Sequence, residues 1–280
     1  MKELIITKTA IASYLQFLRI QEKSKGTLEK YQRELLDLEK YLKGKEVRKE
    51  DLLVWKEDME RKYSPAGVNG RLVAANGLLS FLGRYDLRLK LLKIQKEIFT
   101  SEEKELTRAE YGRLVRAAEK KGKERLSLLI QTICATGIRV SELEFITVAA
   151  VKRGRAEVNC KGKRRVIFLP VRLQKKLKAY AAKRGITEGA VFTTKSGRPL
   201  HRGNIWAEMK KLCKDAEVSP EKVFPHNLRH LFARIFYSLD KDIAKLADML
   251  GHSNIETTRI YIMESGRIHR QKLERMRLVL

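Results

Sequence analysis

Arg155-Ala-Glu-Val-Asn-Cys160, Lys161-Gly162-Lys163 and Arg165-Val-Ile-Phe-Leu169 form the one convincing stretch of this chain that alternates with a period of two. Two short alternating runs around a Lys-Gly-Lys turn, closed by Pro170, read as a β-hairpin. Arg153-Gly154 reads as an earlier turn, so a small three-stranded antiparallel sheet is expected. Everywhere else the apolar residues recur at helical spacing. The fold class is therefore mainly α, with one small sheet set among helices.

Upstream of the hairpin, Leu126-Ser-Leu-Leu-Ile-Gln-Thr-Ile-Cys134 predicts an apolar helix broken at Thr136-Gly137, with helix resuming from Val140 to Ile146. Thr107-Arg-Ala-Glu110 has the spacing of a capping box, in which Thr and Glu satisfy each other's backbone N–H groups, and it opens a helix through Leu114 and Ala118. Downstream, helices are expected over 172–182, 204–216, 229–239 and 241–250. The first 95 or so residues carry four helical stripes. One spans Thr9 to Leu18, and a second runs through Leu28, Tyr31, Leu35, Leu38 and Leu42 with Thr27 as its cap. A third covers Glu50 to Tyr63, and a fourth, through Val68, Leu72, Ala75 and Leu79, opens at Ser64-Pro65. Four short helices of this kind make a compact bundle. A polar connection separates the halves, giving expected domains of 1–95 and 107–280 with a linker at 96–106.

The chain has 280 residues with 60 Lys and Arg against 34 Asp and Glu, a formal charge of +26. So large a surplus repels itself in a compact fold unless a polyanion offsets it, and nucleic acid is the usual partner. No apolar run is long enough to span a bilayer, no basic amphipathic stretch fits a membrane surface, and the opening residues are too short for a signal peptide. Cys134, Cys160 and Cys213 lack the spacing of a disulfide framework or a zinc site. No cofactor or metal is expected, and a reducing, cytoplasmic setting fits.

The chemistry gathers near the C-terminus in Pro225-His-Asn-Leu-Arg-His230, Leu250-Gly-His-Ser-Asn254 and Thr257-Thr-Arg-Ile-Tyr261. His226 and Arg229 share a helical face at three-residue spacing. Gly251 is placed to end a helix in a left-handed conformation, and Ser253 to Glu256 has capping-box spacing, so His252 sits at a turn before a helix. Cleavage of a phosphodiester by a protein hydroxyl needs a base for a phenol whose free pKa is about 10. It also needs fixed cations for the phosphate oxygens and an acid for the leaving oxygen. Tyr261, the histidines and Arg229 supply the first two. Arg139, in Thr136-Gly-Ile-Arg-Val-Ser-Glu-Leu143, offers a second guanidinium, with Glu142 one turn on to orient it. Lys161 at the hairpin tip is the candidate acid.

These motifs, in order, resemble those of the tyrosine recombinase (phage integrase) family, and the compact Xer-type members in general pattern. The likeness covers about 107–263; the N-terminal bundle resembles the family's core-binding, SAM-like domain in helix pattern only. It implies that Tyr261 attacks the scissile phosphate, Arg139 and Arg229 clamp it, His226 handles the phenol proton and His252 hydrogen-bonds the phosphate. Lys161 would protonate the leaving oxygen, and Glu142 would support. It further implies a homo-tetramer, or a paired recombinase, on two double-stranded DNA sites. Cys160 stands where the family commonly has Gly, and Lys163 competes with Lys161. Ala149-Ala150 replaces a common acidic residue. The biological role stays open among dimer resolution, integration, excision and inversion. The short lead before the first helix suggests that no arm-binding domain precedes it. The tail over 265–280, with apolar Ile268, Leu273, Met276 and Leu280, is expected to dock in trans on a neighbouring subunit. Two other readings remain: type IB topoisomerase-like relaxation, and a non-catalytic DNA-binding regulator built on the helix-turn-helix-like stretch 242–258.

Overall fold

A computed structural model describes residues 4–94, 102–160, 163–194, 196–262 and 274–276. The chain divides into two compact units, Met1–Lys96 and Glu97–Leu280.

In the first unit, four α-helices surround one apolar core: α1 (Lys8–Ile20), α2 (Lys25–Leu42), α3 (Lys49–Lys62) and α4 (Pro65–Phe81). Ser64 caps α4 through its hydroxyl, with Pro65 at the first helical position. The cap of α2 is Ser24, not Thr27; the Ser24 hydroxyl takes the Thr27 N–H, so Thr27 lies one turn inside. Leu35, Leu38, Leu52, Trp55, Leu72 and Leu79 are sealed in the core, each contributing about 1.5–3 kcal/mol of apolar burial. Beyond α4 the chain is held against it by side-chain amides. Asn76 donates to the Leu89 carbonyl and accepts its N–H, both at 2.8 Å, and Asn69 makes the same pair with Leu92 at 2.9 and 2.8 Å. Seven residues apart, the two asparagines lie on one face of α4.

The second unit starts with α5 (Arg108–Lys120) and α6 (Glu124–Thr136). The Thr107–Glu110 capping box is formed in both directions. Helix α6 ends at Gly137, left-handed at φ 64°. A 3₁₀ turn over Val140–Phe145 follows, then α7 (Val148–Arg153), β1 (Arg155–Cys160) and β2 (Lys163–Phe168). The expected regular helix from Val140 is thus a tighter 3₁₀ segment. Among the described residues the sheet has two strands rather than three, paired antiparallel from Arg155 opposite Phe168 to Cys160 opposite Lys163. The segment before β1 is helix because Thr147 caps it, and Gly154 is its left-handed C-cap. In β2, Ile167 faces the core while Val166 and Phe168 face out.

The remaining helices are α8 (Val171–Lys183), α9 (Arg202–Lys210), α10 (Cys213–Ala216), α11 (Pro225–Asp240), α12 (Ile243–Leu250) and α13 (Ile255–Ile262). Helix α11 begins at Pro225, four residues before the expected start, so His226 lies on it. The stretch expected as one helix over 204–216 is two, α9 and α10. The main core joins α5 to α8, the sheet and the inner face of α11. A smaller cluster of Ala233, Leu246, Leu250 and Tyr261, backed by Phe232, Phe236 and Tyr237, holds α12 and α13 against α11. Among the described residues no helix is long and apolar enough to cross a membrane, and no cluster of metal-ligating side chains occurs.

Candidate active site

Six of the predicted residues, Arg139, Glu142, His226, Arg229, His252 and Tyr261, meet where the ends of α6 and α12 face α11 and α13. The first two turns of α11 supply His226 and Arg229. Because the helix starts at Pro225, His226 sits where backbone N–H groups are still unsatisfied and favour an anion, and Arg229 follows one turn later on the same face.

Arg229 is the centre. It is 1% exposed. One terminal nitrogen donates to the Gly137 carbonyl, the other to the Leu250 carbonyl at 2.6 Å and to His252 Nε2 at 3.0 Å. Among the described residues its Nε has no hydrogen-bond partner, and no carboxylate pairs with it. Burial first, and the Arg139 guanidinium second, lower its pKa to about 10, with the Tyr261 hydroxyl opposing. It therefore stays charged at neutral pH. Gly137 makes this possible. A Cβ at this position would stand 2.5 Å from a Phe232 ring carbon and 3.1 Å from Leu250 Cδ2.

Arg139 is partly open to solvent. Its Nη1 donates to Glu142 Oε1 at 2.9 Å and its Nη2 to the Gly251 carbonyl at 3.4 Å, while its backbone N–H donates to Glu142 Oε2 at 2.9 Å. In a 3₁₀ turn residues three apart eclipse, which sets Glu142 over Arg139. Glu142 is 1% exposed. Burial raises its pKa, but the Arg139 N–H, Arg165 and the Arg139 side chain outweigh that and hold it below the usual carboxylate range.

Arg165 was not singled out from sequence, yet it completes this group: its Nη2 donates to Glu142 Oε2 and its Nη1 to the Met249 carbonyl at 3.1 Å. The signal was available. Arg165 shares the inward face of β2 with Ile167, an unusual place for a cation. Thr258 was also missed. It is fully buried, and its hydroxyl meets His252 Nδ1 at 2.8 Å. Arg229 donates to Nε2, so Nδ1 carries the proton and donates to Thr258. Burial, then Arg229 and Arg139, push His252 down to about 4.

Tyr261 is 5% exposed. Its hydroxyl lies 3.4 Å from His226 Nε2. Its ring lies against His230, centroids 4.2 Å apart, and is stacked with His252 at 5.5 Å. Burial and His226 bring His230 to about 4. His226 is lowered as well, by burial of its ring and then by Arg229 and Arg139, although the residue as a whole is the most exposed of the three. All three imidazoles are thus neutral at pH 7. Asn254, not Ser253, caps α13: its side chain accepts from the Glu256 N–H at 2.8 Å. Lys161 and nearly all of the tail over 265–280 lie outside the described residues. Lys163 opens β2.

The model of the phage integrase family matches residues 104–266, and that of the phage integrase N-terminal SAM-like domain matches 11–86. Among curated proteins, tyrosine recombinase XerD of Halalkalibacterium halodurans is 33% identical over 49% of this chain and 48% of its own length. Tyrosine recombinase XerC of Erythrobacter litoralis is 31% identical over 56% of this chain and 54% of its own. These two matches thus span about half the length of each relative. Tyrosine recombinase XerA of Pyrococcus furiosus is 27% identical over 100% of this chain and 98% of its own. Among solved structures, a lambda integrase dimer bound to a COC′ core site superposes with a TM-score of 0.77 at 16% identity, covering 94% of this chain and 97% of that one. A XerH post-cleavage complex with its difH substrate superposes at 0.73 and 20% identity, covering 88% and 78%. With both halves matched in order, and with two arginines, the histidines and a tyrosine gathered at one point of the second half, the chain belongs to the phage integrase family.

Proposed function

We propose that the protein is a site-specific DNA recombinase that breaks and rejoins strands through a 3′-phosphotyrosine. One observation carries this reading: Arg229, a fully buried guanidinium whose terminal nitrogens are held by two carbonyls and an imidazole, beside the Tyr261 hydroxyl. Burying a charge without a counter-ion is costly, and an anion that arrives with the substrate offsets that cost. A phosphodiester is such an anion, and the +26 charge of the chain suits DNA.

The chemistry follows from the contacts. His226 Nε2, neutral and 3.4 Å from the phenol, takes its proton. The phenolate oxygen forms a bond to phosphorus as the bond to the 5′ oxygen breaks, and that oxygen takes a proton from Lys161. Arg139 and Arg229 hold the non-bridging oxygens as charge builds. His252 donates from Nε2 to the same phosphate. This requires the other tautomer, and the Thr258 hydroxyl allows it, since it accepts from Nδ1–H in one tautomer and donates to bare Nδ1 in the other. The 5′ hydroxyl of a second strand reverses the step, so the phosphotyrosine conserves the bond energy and no ATP is consumed.

In this reading residues 1–95 bind the DNA core site, 96–106 link and 107–280 catalyse. The active assembly is a homo-tetramer or a pair of recombinases on two duplexes in the cytoplasm, with the tail docked in trans. The recombination serves resolution of chromosome or replicon dimers, or integration, excision or inversion of DNA. The test uses a pool of nicked duplexes of random sequence. Wild-type protein should form a denaturant-resistant adduct with a subset of them, and Tyr261→Phe should form none while still binding. An adduct that persists in Tyr261→Phe would overturn the reading. DNA binding with no adduct would leave a regulator, and site-independent relaxation by monomer would leave a topoisomerase.

A further inference from the structure

Arg165 reaches the site from β2, on the inward face of the hairpin. One end of its guanidinium donates to Glu142 Oε2 and the other to the Met249 carbonyl at 3.1 Å. Its side chain is only 11% exposed, and that of Glu142 2%. The aliphatic part packs beneath the Gly251 turn, where a Cβ on Gly251 would stand 2.7 Å from Arg165 Cδ. That same turn gives the carbonyl that Arg139 Nη2 reaches, and it leads straight into His252. Arg165 thus fixes, at once, the carboxylate that holds Arg139 and the turn that presents His252.

Charge makes the position consequential. Glu142 binds Arg139 through Oε1 and Arg165 through Oε2. Two guanidiniums around one carboxylate leave one unit of positive charge. Without Arg165, the Arg139–Glu142 pair is neutral, and Arg139 has little left to offer a phosphate. At short range in a half-buried site that difference is not screened away.

We propose that Arg165 is a positioning residue for strand cleavage: it neutralises Glu142, so that Arg139 keeps its charge for the scissile phosphate. This rests on the recombinase reading. Arg165 does not meet substrate, so its effect passes through Glu142 and belongs to the rate of cleavage rather than to binding.

The test measures single-turnover adduct formation on a nicked duplex recovered from the random pool, at saturating protein, alongside the Kd for the same duplex. Arg165→Met should slow adduct formation about 10- to 100-fold, with Kd within about threefold of wild type, since one buried charge adds little to a phosphate contact set of this size. Arg165→Lys should recover part of the loss. In a Glu142→Gln background there is no carboxylate to neutralise, so adding Arg165→Met should cost at most about threefold more. Wild-type cleavage by Arg165→Met would overturn the proposal, and so would losses that multiply in full with Glu142→Gln. Should Arg165→Met fail to fold, Arg165→Lys with and without Glu142→Gln makes the same comparison. Tyr261→Phe runs in parallel: an adduct from that variant sinks the recombinase reading itself, whereas its absence beside a fast Arg165→Met sinks only the role of Arg165.

Discussion

Gly137 and Gly122 allow a matched experiment on how the site is held. Both sit in the second unit with nearly the same backbone, φ 64° and 65°, at or just beyond the end of a helix. A Cβ on Gly122 meets nothing within 4 Å, whereas one on Gly137 would lie 2.5 and 2.6 Å from two Phe232 ring carbons and 3.1 Å from Leu250 Cδ2. Gly122→Ala therefore isolates the left-handed backbone penalty, about 1–2 kcal/mol. Gly137→Ala adds overpacking to the same penalty, about 1–3 kcal/mol more. For a unit of this size that extra cost is roughly 2–12 °C in Tm. The functional effect should separate more sharply. The Gly137 carbonyl accepts from Arg229, and Phe232 backs the cluster that holds Tyr261. Relief of the clash must move the α6 terminus or Phe232, and either shift displaces Arg229 or Tyr261, the groups proposed to meet phosphate. Urea unfolding of both variants gives the energies, and adduct formation on the nicked duplex gives the rates. Gly122→Ala should cleave like wild type and Gly137→Ala at least tenfold slower, a displacement of about 1 Å costing that much or more. Equal unfolding energies, or wild-type cleavage by Gly137→Ala, would refute the packing argument.

The imidazoles give the second unit a pH dependence of fixed sign. His230 and His252 fall to about 4 in the fold, from about 6.5 when unfolded, so the unfolded chain binds more protons between those values. Stability should be complete above pH 6.5 and fall toward pH 4 by on the order of 1–3 kcal/mol for each histidine, discounted for partial exposure; a flat urea midpoint from pH 7.5 to 5 would contradict this. Thr258→Val keeps the shape but strands a buried His252 N–H, which should cost about 1–3 kcal/mol and slow cleavage; unchanged unfolding would show that the Thr258 contact contributes nothing. Asn76→Ala removes both bonds to Leu89 and should raise amide hydrogen exchange at Leu89 by about tenfold or more while the α2 amides stay protected. Protection retained at Leu89 would mean that packing alone holds this segment.

How far the sequence could be read depended on whether each signal was local. Ser64-Pro65 and the Thr107–Glu110 box are local, since a cap needs only its own turn, and both form as expected. Six residues from Val148 to Arg153 are too short for a helical period to show, and the Arg153-Gly154 turn by itself points to a third strand where the structure has α7. The start of α11 at Pro225 was also legible in principle, as proline favours the first turn. The six candidate residues lie together, but their spacing could not reveal what holds them. The Met249, Leu250 and Gly251 carbonyls and the Thr258 hydroxyl become partners only once α12 and α13 fold onto α11.

That placement has a common physical basis. Arg229 binds the carbonyls of Gly137 and Leu250, Arg139 that of Gly251, and Arg165 that of Met249. All four belong to the closing turns of α6 and α12, where the last carbonyls of a helix lack backbone donors and carry partial negative charge. Among the described residues, two helix ends thus hold three guanidiniums, of which Arg139 and Arg165 share the Glu142 carboxylate. More carboxylates would have made the arginines easier to bury but would have cancelled the field that a phosphate must feel. Carbonyl dipoles satisfy the N–H groups and leave the net charge in place. The left-handed glycines at both ends, Gly137 and Gly251, expose these carbonyls by ending each helix without a side chain in the way. Both glycines are therefore as much a part of the proposed phosphate site as the arginines they support.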